Sequence, residues 1–215
     1  IVGIWVSMAL GMSLNMGVGT YYAKYILGNE NMSGFIAAVS ILPVILCMPA
    51  VAPLSQKYGK RNVALVGSII SLVGQIMMLI NPESATWLII CSLVKGIGSA
   101  ALTGTLFAMV ADTIEYGQWK TGKRVEGMLY SSTTFGAKIG AGIGGAVALG
   151  IIGAAGYDGL AAVQTEATLA AIKQVYLVLP IPFLVLIPVF YAFYKLDKIY
   201  PTVMADLEKL EKEQK

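Results

Sequence analysis

The chain has 215 residues, of which 57% are hydrophobic and 13% are charged, with a formal net charge of +3 and no histidine. A water-soluble domain carries roughly 25% charged residues, so this composition excludes an ordinary soluble globule and predicts a protein surrounded mainly by lipid. No basic tract is dense enough to favour nucleic acid as a partner. Without histidine there is no Ser–His–Asp arrangement and the commonest metal ligand is missing. We therefore expect neither an enzyme, nor a metal site, nor a bound cofactor.

Six apolar runs are long enough to cross a bilayer, and they lie in chain order at about 1–23, 34–56, 62–80, 86–111, 127–156 and 173–195. A spanning helix needs ~20 residues, and a segment in lipid must be helical because no water is present to bond its backbone. The pattern predicts an all-α membrane protein. We expect a six-helix bundle over residues 1–196 and a charged tail over 197–215 that forms a solvated helix at the membrane surface.

Lysine and arginine concentrate on one side of the predicted bundle. That side holds Lys57, Lys60, Arg61, Lys120, Lys123, Arg124 and the tail lysines, whereas the other side holds only Lys24 and Lys173. Cytoplasmic loops carry an excess of basic residues. We therefore expect both termini in the cytoplasm, which agrees with an even number of spans.

The fifth span carries an isolated lysine, Lys138. It lies about 11 residues past the start of the span, or roughly 16 Å along the helix, which is near the bilayer midplane. A charge there costs at least ~2.5–3.5 kcal/mol, which favours a hydrated cavity over lipid; snorkelling to an interface is the alternative. Thr134 shares its helical face, whereas Gly136, Gly140 and Gly144 form a row on roughly the opposite face and are expected to pack against another helix.

Polar side chains in the first, third and fourth spans allow more than one interpretation. Asn15 and Tyr22 can bond a sugar, bond a neighbouring helix, or, for Tyr22, join an interfacial aromatic belt, and the sequence favours none of these. Lys95 shares a face with Thr103 but lies nearer the outer end of its span, so the pattern favours snorkelling. The third span has one notable polar side chain, Gln75, and is expected to face lipid.

Three segments resemble one transporter family: ADTIEYGQWKTGKRVEGMLYSSTTFGAKIG, YYAKYILGN and PLSQKYGKRN. They are similar to the glycoside–pentoside–hexuronide:cation symporters, relatives of melibiose permease within the major facilitator superfamily. The resemblance runs from about Tyr21 to Tyr194. It implies the C-terminal six-helix half of a twelve-helix carrier, whose partner is an N-terminal six-helix half in the same gene or on a separate chain.

The resemblance also implies a function and a location. It points to cation-coupled symport of a glycoside, pentoside or hexuronide by alternating access, in a bacterial inner membrane. The coupling ion, Na⁺ or H⁺, is expected mainly at acidic residues of the N-terminal half.

Carried over by position, the resemblance assigns roles to two sets of residues. The substrate-binding set is Lys138, Thr134, Thr133, Ala137 and Thr103, to which Asn15 and Tyr22 are added from the first span. The cytoplasmic gate set is Asp112, Glu115 and Arg124, to which Lys57 and Arg61 are added from the basic stretch after the second span. Thr103 stands where melibiose permease has an aromatic residue, which leaves the identity of the sugar open.

Two other functions stay open. Distant relatives move lysolipids, and the sparse polar lining of these spans suits an amphipathic solute. The third hypothesis is a half that does not transport and serves as a membrane assembly module.

Overall fold

The computed structural model describes residues 1–124, 126–161 and 163–213, with side chains up to residue 209. Within these ranges the regular structure is entirely helical and contains no strand. The elements, in chain order, are α1 (Val2–Tyr25), α2 (Met32–Tyr58), α3 (Lys60–Met77), α4 (Ala85–Thr121), α5 (Glu126–Ala154), α6 (Glu166–Lys173), a π-helix (Gln174–Val178), α7 (Pro180–Phe193) and α8 (Leu196–Glu213).

Five stretches of the described chain are long and apolar enough to cross a membrane, namely α1, α2, α4, α5 and the continuous run Glu166–Phe193. The remaining predicted span corresponds to α3, which has 18 residues. Its first turn is Lys60, Arg61 and Asn62, and these polar residues lower its mean hydropathy. The six predicted spans nevertheless pack as one helical bundle. In this bundle α2 and α3 flank α4, and α5 and α7 flank α1.

The longest helix, α4, has defined signals at both ends. The Ser84 side chain accepts a hydrogen bond from the backbone N–H of Trp87 at its start, and Gly122 ends it with a φ of 69°. Its 37 residues extend over roughly 55 Å at 1.5 Å per residue, well beyond the ~30 Å hydrocarbon core. The charged cluster that begins at Asp112, expected between two spans, is therefore mostly a continuation of α4.

Close helix contacts are made at glycines. A Cβ added to Gly98 of α4 would lie 2.5 Å from the Gly67 carbonyl oxygen of α3, and one added to Gly140 of α5 would lie 2.8 Å from the Val6 carbonyl oxygen of α1. Neither position has room for a side chain, so these helix pairs approach backbone to backbone. The predicted packing role of the Gly136–Gly140–Gly144 row is confirmed, and its partner is α1.

The sixth span consists of α6, the π-helix and α7, and its helical geometry changes before Pro180. Proline lacks a backbone N–H, so the Tyr176 carbonyl has no donor four residues on. The preceding segment is π-helical, and the Leu179 N–H bonds the Gln174 carbonyl at 2.9 Å. This arrangement leaves carbonyl groups inside the bundle that need donors from other helices.

The tail forms the amphipathic helix α8. Val203 has no exposed surface, and α8 packs against the extended end of α4. The Asp197 carboxylate accepts a hydrogen bond from the Arg61 N–H at 2.7 Å, so α8 also binds the first turn of α3. The described part of the tail is therefore docked on the bundle.

Candidate functional site

A polar cluster lies where α1, α3, α4 and the π-helix meet. The Lys95 ammonium of α4 donates to Asn15 Oδ1 of α1 and, at 2.6 Å, to Gln75 Oε1 of α3. The prediction that Lys95 snorkels outward is wrong, because two amide oxygens hold its nitrogen between the helices. The set Lys95, Asn15 and Gln75 is called the amide–lysine cluster below.

The two amides are anchored by the carbonyls that precede Pro180. Asn15 Nδ2 donates to the Tyr176 carbonyl at 2.8 Å, and Gln75 Nε2 donates to the Tyr176 and Leu177 carbonyls at 3.0 Å each. A carbonyl can only accept, so each amide must present its nitrogen to the π-helix and its oxygen to Lys95. The orientation of both amides is thus fixed by the backbone.

Gln75 has no exposed surface, so the expectation that the third span faces lipid does not hold for the face that carries this residue. It points inward because α3 lies so close to α4 that a Cβ on Gly74 would be 2.7 Å from the Lys95 backbone nitrogen. The sequence contained a usable signal for this contact. A proline in a buried helix leaves the carbonyl four residues before it without its helical N–H, so another group must donate to that carbonyl. The side chains of Gln75 and Asn15 are donors that lie within predicted spans.

Tyr22 is almost fully buried, with 1% of its surface exposed. Its hydroxyl donates to the Pro82 carbonyl at 2.5 Å, and its ring stacks on Tyr176 with centroids 4.3 Å apart. Of the interpretations that the sequence left open for Asn15 and Tyr22, the structure shows bonds to neighbouring elements for both. Asn15 remains partly exposed, whereas Tyr22 has almost no surface to offer a solute.

A seam runs between α1 and α4 from the amide–lysine cluster to an aromatic pair. At one end Asn15 meets Lys95, and at the other the rings of Trp5 and Phe107 lie 5.2 Å apart. Between them, Thr103 of α4 is partly exposed and Met12 of α1 is 59% exposed. The predicted site residues Asn15 and Thr103 therefore lie along one accessible seam.

The predicted residues of α5 fall on different sides of that helix. Lys138 and Thr134 are exposed, and Ala137 is half-buried. Thr133 is buried near α1 and donates to the Tyr130 carbonyl at 2.9 Å. Among the described residues Lys138 makes no hydrogen bond or ion pair, including any to the amide–lysine cluster.

Near the α4–α8 contact, Asp112 forms an ion pair inside this half. Its carboxylate oxygens lie 2.6 and 2.7 Å from the Lys60 ammonium, and its side chain is 4% exposed against 29% for Lys60. Lys60 was absent from the predicted gate set, because nothing in the sequence links two residues 52 positions apart. Asp112 thus has a partner without any second half.

Glu115 accepts a hydrogen bond from the Tyr200 hydroxyl of α8. Burial and then this hydrogen bond raise the pKa of Tyr200 above its ordinary value. Glu115 also lines a cavity of about 90 Å³ together with Gln118, Arg124 and Met204. The α4 end and α8 therefore form a small recess lined by both charged and apolar side chains.

The other predicted gate residues also have partners within this chain. Arg61 donates to the Tyr191 and Ala192 carbonyls, each at 2.8 Å. Arg124 contacts Glu126 at 3.2 Å and Gln118 at 3.3 Å, and Lys57 lies 5.2 Å from the Tyr58 ring centroid. Of the five predicted gate residues, Asp112 and Arg61 are tied into the fold, while Arg124 keeps an exposed side chain.

The opposite end of the bundle is joined by an ion pair and by tyrosines. Lys173 and Glu83 lie 2.7 Å apart, and the hydrogen bond and charge of Lys173 lower the pKa of Glu83. The Tyr25 and Tyr157 hydroxyls lie 3.3 Å apart. That hydrogen bond, followed by burial, raises the pKa of Tyr157 to about 12.

Comparison with known families matches residues 1–198 to the family described as MFS/sugar transport protein. The chain belongs to this family. It is 35% identical to the isoprimeverose transporter of Lactiplantibacillus pentosus, over 93% of this chain and 42% of that protein. The glucuronide carrier protein homolog of Escherichia coli K12 is 27% identical, over 90% and 43%, and the putative sulfoquinovose importer of Salmonella typhimurium is 31% identical, over 78% and 35%.

The chain spans less than half the length of the curated relatives that it matches. Membership of the MFS sugar-transport family identifies it as an integral membrane protein of a transporter family and not an enzyme. The helical bundle corresponds to one six-helix half of the superfamily fold, as the sequence predicts.

Proposed function

We propose that this chain is the C-terminal half of a secondary carrier that takes up a glycoside, pentoside or hexuronide together with Na⁺ or H⁺. Two findings support the proposal: the family match over residues 1–198, and relatives named for isoprimeverose, glucuronide and sulfoquinovose. These names share one chemistry, a small solute rich in hydroxyl groups.

The observation that carries the proposal is the exposed polar face of α5. Gly140 packs against the α1 backbone, so α5 is held on that side, while Lys138 and Thr134 point away from it and are exposed. An ammonium left in lipid costs several kcal/mol (~2.5–3.5 or more). A hydrated passage shared with the N-terminal half removes that cost, and there Lys138 donates to solute hydroxyls.

The N-terminal half closes this passage and supplies most of the cation site. Both termini face the cytoplasm, in a bacterial inner membrane, as the basic side of the bundle favours. Relatives from bacteria support that setting. Alternating access then consists of one half rocking against the other around the solute.

The cytoplasmic gate uses the exposed charged residues and not those that already pair within this half. Asp112 and Lys60 hold α3 against α4, and Arg61 holds α3 against α7. Arg124 and the recess beside Glu115 remain accessible to charges of the other half. Exposed pairs contribute only ~0–1 kcal/mol each, which is enough for several of them to bias two states that differ by a few kcal/mol.

Uptake by the complete carrier in proteoliposomes tests this function. We expect accumulation of a labelled glycoside driven by a Na⁺ or H⁺ gradient, its collapse on adding the matching ionophore, and its loss in Lys138→Ala. Uptake of lysolipid that no glycoside inhibits contradicts the solute class. Full coupled uptake by Lys138→Ala contradicts the role of Lys138.

A further inference from the structure

The Lys95 ammonium has more donors than partners. A charged lysine carries three N–H groups, and two of them are taken by Asn15 Oδ1 and Gln75 Oε1. Among the described residues no third acceptor lies within hydrogen-bonding distance of this nitrogen. The remaining N–H is therefore available to a molecule that enters the bundle.

The charge of Lys95 is also unbalanced. Its two partners are neutral amides, and the ion pairs of the described chain join Lys60 to Asp112, Arg124 to Glu126 and Lys173 to Glu83. The six apolar runs of the sequence contain no Asp or Glu. An ammonium in a membrane interior normally pairs with an acid or a water-filled cavity, so an anion that reaches Lys95 gains more there than a neutral solute.

Access comes from the seam between α1 and α4. Lys95 keeps part of its residue surface accessible, and its backbone lies against Gly74 of α3. Asn15 and Thr103 are partly exposed on the same seam. The seam belongs to two helices that also carry predicted solute contacts.

The cluster is preorganised. Asn15 and Gln75 are oriented by the Tyr176 carbonyl, which Pro180 leaves without a donor, and Gln75 also by the Leu177 carbonyl. Neither amide can therefore rotate to offer a nitrogen to Lys95 without losing those bonds. The ammonium is consequently held in place before any solute arrives, which lowers the entropy cost of binding.

From this geometry we propose that Lys95 is a solute-binding residue that donates its third N–H to an anionic oxygen, a carboxylate or sulfonate on a sugar-sized solute. The inference rests on the proposed transport function and names an acidic solute class for it. The bond forms without proton transfer, and the solute anion balances the lysine charge.

The test compares an acidic glycoside with its neutral counterpart in the complete carrier. A glucuronide and the matching glucoside compete against labelled substrate, and a sulfonated sugar forms a third arm that separates sulfonate from carboxylate. We expect Lys95→Met to weaken the acidic competitor roughly 10- to 100-fold, the range of a lost charge-assisted hydrogen bond, and the glucoside less than about 3-fold. Lys95→Arg, which keeps the charge, should retain most of the preference.

Asn15→Asp is a second variant, which neutralises the Lys95 charge without removing the lysine. It keeps the side-chain size and places a carboxylate beside Lys95, but it also replaces the Nδ2 that donates to the Tyr176 carbonyl with an oxygen, so that carbonyl keeps only its bond from Gln75. The melting temperature of both variants is therefore measured beside the competition assay. The acidic competitor should again lose affinity more than the neutral one. If both variants keep the wild-type ratio of affinities for the acidic and the neutral competitor, the inference is overturned. If the carrier still shows cation-coupled glycoside uptake in that case, the proposed transport function stands. Wild-type carrier that transports only neutral glycosides, or none, also overturns the inference.

Discussion

Gly140→Ala and Gly142→Ala form a matched pair that tests the helix packing behind the polar face of α5. A Cβ at Gly140 would lie 2.8 Å from the Val6 carbonyl oxygen and 2.9 Å from the Ala9 Cβ, whereas one at Gly142 meets nothing within 4 Å. The residues are two positions apart in one helix, so their helix propensities are matched. Overpacking costs about 1–3 kcal/mol, and Gly→Ala in a helix gains roughly 0.5–1 kcal/mol where space exists. The gain partly offsets the strain at Gly140, so we expect Gly142→Ala to be the more stable variant by about 1–3 kcal/mol.

Thermal unfolding of the purified protein in detergent measures the difference, with the melting temperature of wild type between the two variants. The order follows from space alone, because both substitutions add the same methyl group. Equal melting temperatures, or a lower one for Gly142→Ala, would refute the packing of α5 on α1 and the orientation of Lys138 that depends on it.

Three further predictions use the same unfolding assay. Gln75→Leu should lower stability by about 1–3 kcal/mol, because Lys95 and the Leu177 carbonyl each lose a partner; an unchanged melting temperature argues against the amide–lysine cluster. Lys60→Met should lower stability more than Asp112→Asn does. Lys60→Met leaves without a partner a carboxylate that is only 4% exposed, whereas Asp112→Asn leaves a lysine that is 29% exposed and can be hydrated. The opposite order of stability contradicts the ion pair. Glu83→Gln should lower stability only at neutral pH, because a lowered pKa gives stability that is present above the ordinary glutamate value and lost as pH falls through the folded value; a deficit that persists at pH ~3 counts against it.

The architecture was readable from composition and spacing. Apolar runs of bilayer length fix the rods, and the spacing of Gly136, Gly140 and Gly144 identifies a packing face, because helical periodicity is a local property. Counting residues along the fifth span placed Lys138 near the midplane, and the family resemblance then assigned roles to Lys138 and to the charged cluster. Each of these features can be predicted because the residues that indicate it are neighbours along a single helix.

The amide–lysine cluster could not be read in the same way. Lys95, Asn15 and Gln75 lie on three helices, and only the tertiary fold brings them together. The position of Lys95 along its span suggested snorkelling, and the near absence of polar side chains suggested that the third span faces lipid. Both arguments ignore donors and acceptors on other helices. Pro180 is the residue from which the cluster could have been predicted. It leaves a carbonyl without a donor, and that carbonyl indicates where buried amide side chains are needed.

The ion pair of Asp112 and Lys60 was missed for a related reason. The resemblance directed Asp112 towards the other half of the carrier, whereas the structure satisfies it with a residue from the first turn of α3. The extension of α4 beyond the predicted span carries Asp112 alongside that turn. A gate assignment from sequence therefore needs each charge to be checked for a partner within its own half.

Cysteine accessibility at Lys138 tests the central claim most directly. In the complete carrier with Cys47 and Cys91 replaced by alanine, Lys138→Cys is compared with Ile143→Cys, which lies on the same helix about 140° away and is 53% exposed. We predict that a charged, membrane-impermeant thiol reagent modifies the cysteine at 138, that a transported sugar protects it, and that the cysteine at 143 does not react. Equal inertness at both positions, or reaction at 138 that no transported sugar slows, would contradict a hydrated sugar passage on this face of α5.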